Sequence, residues 1–267
     1  MPQVLEISNL HQTFERGTVN ENHVLRGLEL TLEAGDFVTI IGSNGAGKST
    51  LLNSIAGMLP VNEGKIVLNG EDVTKQSVTR RSKKISRVFQ DPKMGTAVRL
   101  TVEENLALAM KRGQRRGFSM GVKKGEREFF KKQLAMLNLN LENRLDVEIG
   151  LLSGGQRQAI TLLMATLKRP DLILLDEHTA ALDPKTSITV MELTEKLIAD
   201  QNLTAFMVTH NMEDAIRYGN RLIMLHQGKV AIDLKGEEKQ NLTVTKLMDL
   251  FQQQSGSQVE DEALLLG

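Results

Sequence analysis

The sequence restricts function first by what it lacks. Cysteine is absent from all 267 residues, which excludes disulfides and thiolate metal sites and fits a reducing compartment. No run approaches the roughly 18 apolar residues that would span a bilayer. The N-terminal residues show neither the basic start nor the apolar segment of a secretory signal. Lys plus Arg and Asp plus Glu are both 33, so no net field favours nucleic acid or an anionic membrane.

The remaining composition is that of an ordinary globular protein. With 40% apolar and 25% charged residues, a chain of this length forms one large domain, or one core with a subdomain. Short strands joined by a polar loop are predicted over about 4–32, and strands at 37–41, 172–175 and 205–208 alternate with helices as in a parallel sheet. Helical segments dominate from about 91 to 151, which predicts a helical subdomain inserted in an α/β core.

A glycine-rich segment follows the strand at 37–41. It reads Gly42-Ser43-Asn44-Gly45-Ala46-Gly47-Lys48-Ser49-Thr50 and fits the phosphate-loop pattern. Its glycines let backbone amides turn toward phosphate oxygens, and the helix that follows adds free N–H groups and the positive end of its dipole. Lys48 is predicted to reach the β- and γ-phosphates and Ser49 to bind Mg²⁺.

Two carboxylates end the strand at 172–175. Asp176 therefore lies at the carboxyl edge of a parallel sheet, where such folds bind ligands, and we expect it to hold the Mg²⁺ shell. Glu177 is expected to polarise the attacking water as a general base. An N-cap for a following helix is the alternative explanation for such a pair.

The segment Ser153-Gly154-Gly155-Gln156 begins a predicted helix, with Ser153 as its N-cap. Ala159, Leu162, Leu163, Thr166 and Leu167 form one apolar face of that helix. Its N-terminus is a second anion site in a chain that already has a phosphate loop. In this order, the three segments resemble the ATP-binding subunits of ABC transporters, and the resemblance extends from about Val4 to about Leu234.

The resemblance implies the fold and its boundaries. We expect a P-loop NTPase core, mostly a parallel sheet with helices plus an N-terminal antiparallel β subdomain, at about 1–90 and 161–250. The inserted helical subdomain is expected at about 91–160, within a single ATP-binding domain of residues 1–250. Residues 251–267 are polar and turn-prone at their start, which predicts a flexible tail.

Four further residues each resemble one functional residue of the family. Gln90 resembles the glutamine that senses Mg²⁺ and the attacking water, and Asp183 lies in Ala181-Leu182-Asp183, which resembles the loop at the dimer seam. Asp183-Pro184 also suits the N-cap and first residue of a helix. His210 resembles the histidine that contacts the γ-phosphate. Phe14 is a candidate for stacking on adenine, although aromatics are only 3% of the chain and a buried core Phe is the alternative.

The resemblance also implies cofactors and partners. ATP and Mg²⁺ are the expected cofactors. Two subunits, most simply two copies of this chain, pair head to tail so that each Ser153–Gln156 segment contacts the γ-phosphate held by its neighbour. Separate transmembrane permease subunits, and indirectly a solute-binding protein, are the other expected partners. The chain is therefore placed in the cytoplasm, on the inner face of the cell membrane, as an importer ATPase.

The chain departs from the commonest family pattern at His178, where proline usually follows the Asp-Glu pair. The run from His178 to Pro184 resembles a subgroup of bacterial importer ATPases associated with aromatic amino-acid uptake, although the solute and the permease stay open. An exporter ATPase and a soluble ABC ATPase without a transport role are the alternatives. The basic stretch at 111–132 has two interpretations, a solvated helical face or a contact with a membrane partner.

Overall fold

The computed structural model describes residues 2–114, 122 and 125–255. The chain divides into two compact units. The terminal unit contains Met1–Arg81 and Leu203–Gly267, and the middle unit is Ser82–Asn202. The boundaries predicted from the sequence differ, because they assign residues 82–90 and 161–202 to the ATPase core. Those domain boundaries stay a prediction.

Strands and helices alternate along the described chain. The strands are β1 (Gln3–Phe14), β2 (Asn22–Glu33), β3 (Phe37–Ile41), β4 (Glu63–Leu68), β5 (Glu71–Asp72), β6 (Ile85–Val88), β7 (Leu172–Asp176), β8 (Ala205–Val208), β9 (Arg221–His226) and β10 (Lys229–Lys235). The helices are α1 (Lys48–Ala56), α2 (Val78–Arg81), α3 (Val102–Met110), α4 (Glu126–Ala135), α5 (Gly154–Leu167), α6 (Pro184–Asp200), α7 (Met212–Arg217), α8 (Glu237–Gln240) and α9 (Val244–Ser255). This composition confirms the predicted α/β class.

The terminal unit contains an antiparallel sheet and a mixed sheet. In the first, β1 pairs with β2 and β4, and β4 pairs with β5. In the second, β3 lies between the parallel strands β8 and β9, and β10 adds to β9 as the second strand of a hairpin. All five residues of β3 are buried. A buried central strand therefore leads directly into Gly42.

The first two strands differ from the prediction of short strands. β1 and β2 are each 12 residues long. Their pairing contains register shifts, one of them between Ile7 and Leu10, where Asn9 has a φ of 49°. Such bulges break the alternation of inward and outward side chains, so a long strand reads as several short ones.

The middle unit combines helices with the parallel pair β6 and β7. Ser86 on β6 donates a hydrogen bond to the carbonyl of Ala165 on α5 at 2.8 Å. The prediction of a single apolar face on α5 was incomplete, because ten of its residues, including polar Gln158 and Thr161, are buried. Helices α3 and α6 and strand β6 all contact α5, which leaves it little solvent-facing surface.

The end of the described chain is helical where a loose segment was predicted. α9 continues to Ser255, and Phe251 is buried against the His226 ring, 5.4 Å between centroids. The rest of the predicted tail, 256–267, lies outside the described residues, as do 115–121 and 123–124 of the basic stretch. Among the described residues, no helix is long and apolar enough to cross a membrane.

Candidate functional site

The glycine-rich loop of the terminal unit is built around left-handed backbone. Gly42, Gly45 and Gly47 have φ values of 153°, 81° and 102°, which L side chains rarely adopt. A Cβ on Gly42 would lie 2.4 Å from the carbonyl oxygen of Leu225, whereas one on Gly45 would meet nothing within 4 Å. The loop is therefore tightly packed on one side and open to a ligand on the other.

Lys48 is the first residue of α1 and lies inside this loop. Its side chain is buried, and Nζ donates to the carbonyls of Gly42 and Ser43 at 2.6 and 3.1 Å. The N-cap of α1 is Gly47, which has no side chain to accept the first-turn N–H groups. These donors and the ammonium group suit an anion bound at the loop. Ser49, in the same turn, is exposed.

Two other predicted residues lie in the terminal unit. Phe14 ends β1 and is 38% exposed, so the alternative of a buried core phenylalanine was wrong. His210 is exposed two residues after β8. Asn211 accepts a hydrogen bond from Asp214 N at 3.0 Å and so caps α7. Burial raises the pKa of Asp214, whereas Arg217 and, more weakly, His210 act to lower it.

The middle unit brings the Ser153 segment next to the Asp183 segment. Ser153 and Gln156 form a reciprocal capping box at the start of α5, as the predicted N-cap requires. A Cβ on Gly155 would lie 2.1 Å from Thr186 Cγ2, and one on Gly154 would lie 3.3 Å from Leu182 Cδ2. Glycine therefore allows the first turn of α5 to pack closely against the start of α6.

Asp183 caps α6 as predicted. Its Oδ1 accepts from Thr186 N at 3.1 Å, and Pro184 is the first helical residue. Hydrogen bonds from Thr186 lower the pKa of the exposed Asp183, so the side chain is a carboxylate at neutral pH. Asp183 stays exposed while it caps α6.

Asp176 is the last residue of β7, and Glu177 follows with a φ of 43°. That left-handed backbone is uncommon for a residue other than glycine, asparagine or aspartate, and it is concentrated at functional sites. Arg87 on β6 donates from Nη2 to Asp176 Oδ2 at 2.6 Å. The predicted metal ligand is thus paired with an arginine. Gln90 is exposed just beyond β6.

The sequence did not reveal the roles of three residues that support these groups. Arg157 donates to the carbonyls of Ile149, Gly150 and Leu152 and so fixes the turn that precedes Ser153. A cation in the first turn of a helix opposes the helix dipole, and this mismatch is a signal for a carbonyl partner. Arg87 is the second residue, and no local pattern reveals its partner.

His178 is the third residue. It is 2% exposed, and its Nε2 lies 2.9 Å from Thr194 Oγ1. Because the Thr194 hydroxyl donates to the Val190 carbonyl at 2.7 Å, it accepts from His178, which fixes the Nε2–H tautomer. Burial lowers the pKa of His178 to about 4. A neutral imidazole therefore anchors the backbone after Glu177 to α6.

Comparison with known proteins gives consistent matches. A family model described as "ABC transporter" matches residues 25–180. A tyrosine transport ATP-binding protein of Clostridioides difficile is 45% identical over 252 residues, 93% of this chain and 99% of that protein. A phosphonates import ATP-binding protein of Alcaligenes faecalis is 33% identical, over 86% of this chain and 82% of the relative.

A solved structure extends the comparison to the fold. It is a dimeric ATP-binding cassette bound to ADP and Pi in a post-hydrolysis state, with a TM-score of 0.72 and 30% identity. The match covers 86% of this chain and 98% of that one. The residues matched by the family model include the glycine-rich loop, the Ser153 segment and the Asp176–Glu177 pair.

Proposed function

This chain belongs to the ABC transporter family of ATP-binding subunits, and we propose that it hydrolyses ATP to drive an importer of a small solute such as an amino acid. The glycine-rich loop carries the proposal. Its left-handed glycines, its uncapped α1 start and the buried Lys48 ammonium together form a cradle for the phosphates of ATP. Phe14, exposed at the end of β1, is the proposed stacking partner of adenine.

We propose that Mg²⁺ joins the nucleotide through oxygen ligands. The residues fit this ion, because the Ser49 hydroxyl, the Gln90 amide and the Asp176 carboxylate offer the hard oxygens that Mg²⁺ prefers. Mg²⁺ would neutralise charge on the β- and γ-phosphates. Glu177 is the proposed base for the attacking water, and His210 and Gln90 are proposed to contact the γ-phosphate and the water.

We propose that two protomers share each ATP. Ser153 and Gly154 are exposed at the N-terminus of α5, where the helix dipole favours an anion, yet the chain has one phosphate loop. A head-to-tail dimer, most simply of two copies, gives that second site an occupant, the γ-phosphate held by the neighbouring protomer. Asp183, on the adjacent loop, would line the same seam.

We infer the importer assignment, the solute and the cellular location from the relatives. The compared proteins are named for tyrosine transport and phosphonates import, and the higher identity belongs to the first. We therefore propose uptake of an aromatic amino acid through separate permease subunits, with a solute-binding protein as an indirect partner. The chain would lie on the cytoplasmic face of the membrane.

The test of this function is the Glu177→Gln variant. It keeps the size and polarity of the side chain and removes the base, so turnover should fall by roughly 10²- to 10⁴-fold. ATP affinity measured by calorimetry should stay near the wild-type value. Light scattering with ATP and Mg²⁺ should detect a stable dimer, because the closed state no longer decays by hydrolysis.

The matched control is Glu192→Gln, which removes an exposed carboxylate from α6. It should leave both turnover and dimerisation unchanged. Turnover at the wild-type rate in the Glu177→Gln variant would contradict the assignment of the base. A monomer at all ATP concentrations in that variant would contradict the shared site.

A further inference from the structure

An ion pair within the middle unit involves Asp176, a proposed magnesium ligand. Arg87 Nη2 is 2.6 Å from Asp176 Oδ2, and the two side chains are 11% and 18% exposed. A charge-assisted contact this short, away from bulk water, is a strong one. The carboxylate that is proposed to serve Mg²⁺ therefore already has a cationic partner in the folded chain.

The β6–β7 ladder determines this contact. Arg87 is in register with Leu174, and Asp176 lies two residues further along β7. Because side chains alternate across a strand, Leu174 and Asp176 point to the same face, so the long arginine reaches forward to the carboxylate at the strand end. The pairing thus follows from backbone register.

Arg87 also contacts the segment that leads to Gln90. Its guanidinium carbon lies 4.8 Å from the centre of the Phe89 ring, within range of a cation–π interaction. The carbonyl of Phe89 accepts a hydrogen bond from Gln158 on α5 at 3.3 Å. One side chain therefore touches both the Asp176 carboxylate and the residue before Gln90.

We propose that Arg87 is the internal counter-ion of Asp176 and competes with Mg²⁺ for that carboxylate. In the absence of metal it neutralises Asp176 and holds Phe89 beneath its guanidinium. Arg87 would lower the affinity of Asp176 for a bound metal ion, because its positive charge repels the metal and occupies the carboxylate. Its contact with Phe89 would couple this competition to the backbone before Gln90. Arg87 is a positioning residue, and its role rests on the proposed magnesium function of Asp176.

The test measures metal affinity rather than turnover. Mn²⁺ replaces Mg²⁺ as a spectroscopic probe. It is titrated into protein saturated with ADP, and binding is measured as the loss of the paramagnetic resonance signal of free Mn²⁺. Arg87→Gln keeps a hydrogen-bond donor near Asp176 but removes the charge, so the apparent Mn²⁺ affinity should rise by about tenfold or more, since one unit charge next to a divalent ion is removed. Arg87→Met should show the same gain, and Arg87→Lys, which keeps the charge, should remain near wild type.

Arg127→Gln is the matched control, because Arg127 pairs with Glu103 and Asp146 in the same unit and should leave Mn²⁺ affinity unchanged. Asp176→Asn should weaken Mn²⁺ binding and cancel the gain from Arg87→Gln in the double variant. If Asp176→Asn leaves metal affinity unchanged, the proposed function of Asp176 is wrong. If Asp176→Asn weakens binding while Arg87→Gln gives no gain, the function stands and the counter-ion proposal is overturned.

Discussion

Burial of His178 makes the stability of the protein depend on pH. The imidazole is 2% exposed and donates to Thr194, and burial lowers its pKa from 6.5 to about 4. Between these two values the unfolded chain binds a proton that the folded chain does not bind. Acidification through this range therefore favours unfolding, and the contribution of His178 is lost as the pH falls from about 6.5 toward about 4.

The size of the effect follows from the shift. A proton that binds only the unfolded state costs about 1.4 kcal/mol per pH unit. Lowering the pH from about 7.5 to about 5 crosses some 1.5 units of that range, so His178 should lower the free energy of unfolding by about 2 kcal/mol. His178→Gln keeps an amide N–H for Thr194 and cannot titrate, so it should lose this part of the pH dependence.

Urea denaturation at about pH 7.5 and about pH 5 measures the difference. Thr194→Val is the control, because it removes the hydroxyl partner and keeps the imidazole buried. It should lower stability by about 1 kcal/mol at both pH values and retain the wild-type pH dependence. Equal pH dependence in wild type and His178→Gln would refute the burial of a neutral imidazole at this position.

Two further predictions concern the terminal unit. Gly47→Ala should lower the ATP affinity measured by calorimetry by about tenfold or more. The φ of 102° at this position is strained for alanine, and the new Cβ would lie 2.8 Å from Leu25 Cδ2. An ATP affinity equal to wild type would contradict the described loop. Arg221→Met should cost about 2–3 kcal/mol in urea denaturation, since it leaves the carboxylates of Asp36 and Asp233, which are 18% and 38% exposed, without their cationic partner. Arg16→Met, which removes an exposed pair with Glu63, should change stability by less than about 1 kcal/mol, and similar losses in the two variants would contradict this reasoning.

Local sequence patterns predicted the elements whose geometry depends on neighbouring residues. The glycines at 42, 45 and 47 and the caps at Ser153 and Asp183 follow from backbone requirements that a few residues express. The order of these segments along the chain then gave the resemblance to ABC ATP-binding subunits.

Local sequence patterns could not predict contacts between distant segments. The Arg87–Asp176 pair depends on the register of β6 and β7, which no short motif states. Burial of Phe251 beside His226 stabilises the end of α9, although the glutamines after it read as a loose tail. In both cases tertiary packing overrides the local preference.

Cross-linking tests most directly whether each ATP is bound by the glycine loop of one protomer and the Ser153 segment of its partner. Because the chain has no cysteine, Asn44→Cys and Ser153→Cys place single thiols on exposed residues of the two segments. The two variants are mixed with a flexible bismaleimide, Mg²⁺ and a non-hydrolysable ATP analogue. Cross-linked dimers are expected in the mixture and in neither variant alone, with none when nucleotide is omitted. Cross-linking of each variant to itself, or none in the mixture despite bound nucleotide, would contradict the shared site.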